Sequence, residues 1–116
     1  MKAIEKELDR IVQQLHKNQR CHVCKVKSAE AIHHIIGRAN PMLRYDLINL
    51  LPVCCECHRK IHDEGLNAFR FISKEQGQYL KQVQNESYKD FLIFEVQMTE
   101  DEYLKKCKKT LLGVLN

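Results

Sequence analysis

Six cysteines and six histidines in a chain of 116 residues are the side chains with the most chemistry to offer. Four cysteines form two pairs, Cys21-x2-Cys24 and Cys54-x2-Cys57, with 29 residues between them. Each pair can turn as a tight knuckle that aims two sulfurs at one point. Two knuckles supply the four thiolates of a closed tetrahedral Zn²⁺ site, which has no open coordination position and therefore serves structure rather than catalysis. Cys55, inside the second knuckle, and Cys107 read as free thiols, with Cys55 as an alternative ligand. The second pair argues against a thioredoxin-like redox motif, which uses one such pair beside a βαβ pattern.

The histidines form a separate problem. His33 and His34 are adjacent, and His58 and His62 are four residues apart. That offset puts both imidazoles on one face of a helix, within reach of a single metal ion. A two-Cys two-His finger built from Cys21, Cys24, His58 and His62 would need an inner gap of 33 residues, against about 12 in that class of finger. The histidines thus require a site of their own. His16 and His22 read as solvated and outside it.

These residues must be held by a small set of elements. Residues 3–18 repeat apolar side chains (Ile4, Leu8, Ile11, Val12, Leu15) at helical spacing, with Glu5, Lys6, Asp9, Arg10, Gln13 and Gln14 opposite. Residues 30–36, rich in β-branched side chains, read as a strand. Residues 37–46 read as a polar loop, 47–53 as the returning strand, and 54–63 as a turn opening a short helix that Gly65 terminates. The last fifty residues read as helical. Within them Leu92, Phe94, Val96 and Met98 also alternate as a strand would, and helix is preferred. Thr99 and Glu102 form a capping-box signature for a final helix with Tyr103, Leu104, Cys107 and Leu111 on one side. Successive strand residues point to opposite faces, so His33 and His34 share a site only where the strand ends or bends.

Composition sets the frame. The chain is 44% hydrophobic and 29% charged, without tryptophan, and has room for one core. No apolar run approaches the roughly 18 residues of a membrane span. The N-terminal residues are charged and helical in pattern, unlike an apolar secretion signal, which points to a cytoplasmic, reducing compartment. The net charge of +4 permits a polyanionic partner without requiring one. Arg38, Arg44, Arg59 and Lys60 lie near the histidines in sequence and suit DNA backbone phosphates. There is no base-reading motif. Lys105, Lys106, Lys108 and Lys109 read as a solvated helix surface.

The order His33-His34, Asn49, Cys54-x2-Cys57-His58-x3-His62 resembles the HNH endonucleases, a family built on a ββα-metal (His-Me) finger. His34, Asn49, His58 and His62 follow at offsets of 15, 9 and 4, and the two cysteine pairs resemble the zinc-stabilised branch. The resemblance covers about residues 21–63. The loop 37–46 and the helical tail are also similar to the lambdoid-phage recombination-enhancement proteins of the Rap/NinG group, which act on branched DNA.

The resemblance implies an α+β fold: a zinc-stabilised ββα-metal finger with an N-terminal helix and a helical tail over about 66–113, all one domain over residues 1–116. It implies metal-dependent hydrolysis of DNA phosphodiester bonds in a bacterial or phage-infected cell, leaving 5′-phosphate and 3′-hydroxyl ends. His34 is the implied general base. His33, His58 and His62 are the implied ligands of a catalytic Mg²⁺, Mn²⁺ or other divalent ion. Asn49 is the implied residue that fixes the loop carrying the base. One site cuts one strand, so a double-strand break needs a homodimer, two visits or a larger DNA-processing complex. The alternatives are a zinc-binding DNA accessory factor that has lost catalysis, a branched-DNA nuclease, and a structural zinc protein without nucleic acid.

Overall fold

The computed structural model describes residues 1–116. Helix α1 (Ala3–Gln14) is shorter than its apolar period. Leu15 caps it, and Asn18 adopts the left-handed conformation at φ 62°, which turns the chain toward the first cysteine knuckle. Asparagine tolerates this conformation better than most residues. The knuckle closes through an isolated antiparallel bridge between Arg20 and Ser28.

Strands β1 (Ala31–His34) and β2 (Leu50–Val53) form an antiparallel pair, with His33 opposite Leu51 and His34 opposite Leu50. Pro52 fits because a two-stranded sheet has only edges, where a missing N–H costs no ladder bond. Its carbonyl accepts from the His22 N–H at 2.9 Å, joining the sheet to the first knuckle. The expected strand over 47–53 is half that length. Leu47–Asn49 is a 3₁₀ turn because the Asp46 carboxylate accepts from the Ile48 N–H at 3.0 Å.

Helix α2 (Cys55–Asp63) starts at Cys54, whose sulfur accepts from the Cys57 N–H at 3.4 Å. It stops where Gly65 takes φ 70°, a conformation that suits a residue without a Cβ. The anticipated helix around 66–72 is instead a single 3₁₀ turn, Ala68–Phe71, started by the Asn67 side-chain Oδ1 accepting from the Phe69 N–H at 3.0 Å. Helix α3 (Lys74–Val83) follows, with a Ser73–Gln76 capping box.

The ambiguous segment 88–98 is helical. Helix α4 (Tyr88–Asp90) widens directly into a π turn over Phe91–Glu95, closed by the Val96 N–H donating to the Phe91 carbonyl at 3.1 Å. The wider turn shifts the buried face, which explains why the apolar spacing carried a strand-like alternation beside the helical one. Helix α5 (Glu100–Leu115) carries the Thr99–Glu102 capping box and buries Tyr103, Leu104, Cys107 and Leu111.

Two apolar clusters result. The larger joins Leu8 and Val12 of α1, Met42 and Leu43 of the loop, Leu80 of α3 and Leu111 of α5. The smaller surrounds Cys21, Cys54 and Cys57 with Leu51, Val53 and Ala68. Exposed ion pairs from Lys2 to Glu100 and from Lys108 to Glu7 join α1 to α5. The chain is an α+β fold of the expected kind, and no helix is long and apolar enough to cross a membrane.

Candidate metal centres and catalytic cleft

Cys21, Cys24, Cys54 and Cys57 come together with their sulfurs all within 4.8 Å of one another. A tetrahedral site with Zn–S distances near 2.3 Å holds its sulfurs about 3.8 Å apart, so this donor set fits zinc. The knuckles are made by backbone: the Cys21 N–H donates to the Lys27 carbonyl at 2.8 Å and the Lys25 N–H to the Cys21 carbonyl at 3.0 Å. A Lys27–Glu56 ion pair at 2.6 Å links one knuckle to the other. Burial pushes the Cys21 thiol up, but backbone hydrogen bonds from Cys54, Cys24 and Val23 outweigh it and leave it at about 6. Burial pushes Cys57 up to about 12, with hydrogen bonds to Cys54 and Cys21 acting in the same direction. Zinc takes cysteine as thiolate, so binding here releases the thiol protons. Cys55 stays outside the cluster. Its sulfur lies 3.4 Å from a Glu30 carboxylate oxygen, and that hydrogen bond raises the thiol above its ordinary range.

A second set of donors lies on the other side of β1. One ring nitrogen from each of His33, His58 and His62 falls within 4.8 Å of the others. The Nε2 atoms of His58 and His62 are 3.0 Å apart. The His33 ring meets both edge-on, at centroid distances of 5.3 and 5.1 Å. His33 is nearly buried, 8% exposed, whereas His62 is at the surface, so the cluster is open on one side. Burial, and then the neighbouring histidines, lower His33 to about 4. Burial, and then His62, lower His58. Neutral imidazoles with converging lone pairs are what a divalent ion requires.

His34 is the last residue of β1 and turns away from this cluster. Its Nε2 lies 3.1 Å from the backbone carbonyl of Arg44. A carbonyl only accepts, so Nε2 carries the proton and Nδ1 keeps its lone pair. Burial, with Arg38 next, lowers His34 below its ordinary value. Adjacent strand residues can share a site here because β1 ends at His34 and the cleft wraps around that end. The cleft is about 540 Å³, and His33, His34, Arg38, His58 and His62 all line it.

The Arg44 carbonyl is held by an unusually well-anchored loop. Fully buried Asn49 accepts from the Ile36 N–H at 2.6 Å, and donates to the Ile36 carbonyl at 2.9 Å and the Leu43 carbonyl at 3.0 Å. The Tyr103 hydroxyl of α5 donates to the Met42 carbonyl at 2.6 Å, and the Tyr79 hydroxyl of α3 to the Asp46 carboxylate at 2.6 Å. Tyr45 reaches back to the Glu5 carbonyl of α1 at 3.3 Å.

Four basic residues were expected on phosphates. Arg38 lines the cleft with an exposed side chain, 3.8 Å from Asp9. Arg59 and Lys60 sit at the surface of α2, paired with Glu64 at 2.5 Å and Glu56 at 3.7 Å. Arg44 differs. Its guanidinium is turned inward and forked onto Asp9, with Nε–Oδ1 at 3.1 Å and a second contact to Oδ2 at 2.8 Å. Two of its five N–H donors are thus committed to Asp9, and its side chain is largely out of solvent, unlike those of the other three.

Helix α1 contributes more than packing. Asp9, Val12 and Gln13 line the cleft on one helical face at offsets 0, 3 and 4, and His16, in the turn just after the helix, continues that wall. The expectation of a solvated His16 fails: it is half-buried on that wall, and its Nδ1 is buried without a hydrogen-bond partner. The signal was present in the sequence, since these polar residues recur at helical spacing beside the apolar stripe. His22 is exposed, as expected.

No curated protein and no solved structure matches the chain. Residues 19–64 match the family model described as HNH endonuclease. That segment contains both cysteine pairs, Asn49, His33, His34, His58 and His62, and over it the chain is similar to the HNH endonucleases.

Proposed function

We propose that this protein is a metal-dependent DNA endonuclease with His34 as general base. The observation that carries the reading is the division of labour at the end of β1. His33, His58 and His62 offer converging nitrogens on one side. On the other, His34 is committed through Nε2 to a carbonyl, and its Nδ1 is left as a base. His34 takes a proton from water, which attacks the scissile phosphorus. An imidazole that is neutral at physiological pH suits that step. When bound by His33, His58 and His62, a divalent ion such as Mg²⁺ or Mn²⁺ supplies charge stabilisation for the phosphate and the leaving oxygen.

Asn49 acts at one remove, by fixing the loop whose carbonyl orients His34. Arg38, Arg59 and Lys60 hold backbone phosphates. The Arg59 and Lys60 ion pairs are exposed, and exposed pairs are worth about 0–1 kcal/mol, so a phosphate can displace the partner. Arg38 is itself exposed, and its contact with Asp9 is long at 3.8 Å. The cysteine cluster carries zinc and takes no part in the reaction. The whole chain, with its helical tail, acts as one domain, and each site cuts one strand.

The test is nicking of supercoiled plasmid with and without Mg²⁺ or Mn²⁺, beside His34→Ala. Metal-dependent nicking lost in the variant is the expected result. A wild-type protein that binds DNA but never cuts it points instead to an accessory factor.

A further inference from the structure

Helix α1 lies outside the segment that matches the family model, yet its Asp9 is linked to the base through a single intervening residue, Arg44. Its carboxylate takes both arms of the Arg44 fork, at 3.1 and 2.8 Å. The Arg44 carbonyl, in turn, meets His34 Nε2 at 3.1 Å. Side-chain exposures of 18% for Arg44 and 20% for Asp9 keep this pair largely out of solvent. Such a pair is screened less than a surface one, and its two parallel bonds fix direction as well as distance. Asp9 is itself held in place, because Leu8 and Val12 on either side of it are buried in the main core. Arg38, 3.8 Å from the same carboxylate, is the only other cation on it.

We propose that Asp9 is a positioning residue for the reaction: it clamps Arg44 so that the Arg44 carbonyl holds His34 in one orientation and one tautomer. The proposal rests on the reading of His34 as general base. Asn49 and the tyrosines fix the course of the loop, and the Arg44 guanidinium lies over the Tyr45 ring at 5.5 Å. The Arg44 N–H donates to the Asn40 carbonyl at 3.1 Å, and Asp9 is the side chain that hydrogen-bonds its guanidinium. Rotating the peptide that carries the Arg44 carbonyl would remove the acceptor from Nε2 and allow the proton to sit on Nδ1, which disables the base without disturbing the metal ligands.

Asp9→Asn keeps the shape of the side chain and removes the charge and one acceptor. The expected result is a single-turnover nicking rate lower by about 10- to 100-fold, the scale of a small misplacement of a catalytic group. Mn²⁺ affinity, measured by calorimetry, stays within about twofold because Asp9 is not one of the three candidate ligands. DNA affinity, measured by equilibrium binding, does not fall, because the change removes a negative charge beside Arg38. Long-range proton–nitrogen correlation spectra should show His34 passing from a single Nε2–H tautomer to a mixture. Arg44→Lys, which keeps the charge but has no fork, should behave in the same way and serves if Asp9→Asn does not fold. Wild-type nicking by folded Asp9→Asn, or a rate loss matched by an equal loss of Mn²⁺ or DNA binding, overturns the proposal. A wild-type protein that does not nick overturns the reading of His34 as well. Nicking that needs His34 but ignores Asp9 overturns only the positioning role.

Discussion

At the scale of single residues, the two kinds of histidine should fail in different ways. His34→Ala keeps all three candidate ligands. It should bind Mn²⁺ and DNA normally, yet nick about 10²–10⁴-fold more slowly, with partial recovery at high pH where hydroxide substitutes for the base. His58→Ala and His33→Ala should weaken Mn²⁺ binding, with nicking partly restored by excess metal. Loss of Mn²⁺ binding in His34→Ala but not in His33→Ala would show that the adjacent pair had been assigned backwards. A pH dependence follows from burial of the same ring. His33 titrates at about 4 when folded, whereas an unfolded histidine takes its proton near pH 6.5. Between these values the unfolded chain binds the extra proton, so stability rises with pH through that window and is lost as pH falls from about 6.5 toward 4. His58, lowered for the same reason, adds to the effect. Melting temperature in the absence of divalent metal should therefore drop from pH 7.5 to pH 5, and drop less in His33→Asn.

At the scale of elements, the loop between the strands is what the other elements brace. Asn49→Ala would leave the Ile36 N–H and two carbonyls without their partner in a fully buried position. Each such group costs about 1–3 kcal/mol, so a loss of about 3 kcal/mol in urea unfolding is expected. Nicking should fall further than the folded fraction does, because the Arg44 carbonyl is no longer fixed. Tyr103→Phe removes one buried hydrogen bond and no apolar volume. About 1 kcal/mol is expected there, with nicking little changed while the remaining anchors hold. Equal activity losses in the two variants at matched folded fraction would count against the loop as the support of the base.

For the molecule as a whole, two small cores have to be kept together, and zinc is expected to hold the weaker one. The cluster around Cys21, Cys54 and Cys57 contains only six buried residues, three of them cysteines. It is too small to fold on burial alone. A His33→Ala, His58→Ala double variant, stripped of the histidine site, should retain one zinc per chain by elemental analysis. Cys24→Ser should lose that zinc together with much of the ordered structure around β1, β2 and α2, read by amide exchange. Soluble, fully folded protein without zinc would contradict this. Leu111→Ala, in the other core, should cost about 2–5 kcal/mol, lower the melting temperature and leave zinc content unchanged.

What the sequence determined by itself was local or periodic. Two cysteine pairs and an i, i+4 histidine pair depend on spacing alone, and the structure gathers both sets. Capping at Thr99 and the stop at Gly65 depend on short-range chemistry, and both are found. The tertiary structure decided whatever required distant parts of the chain to meet. It turned Arg44 inward, because Asp9, 35 residues earlier, lies where the fork can close. It made α1 a wall of the cleft and carried His16 into it, where polarity alone had suggested solvent. It allowed His33 and His34 to share that cleft, by ending β1 at the second of them. It cut the second strand short and widened the turn after α4 into a π turn, where capping and packing overrode local pattern. Side-chain type and spacing fix which groups can meet within a turn or two of chain. Which charge finds which partner across the fold is settled only when the cores pack, because burial makes one of many available pairings the favourable one.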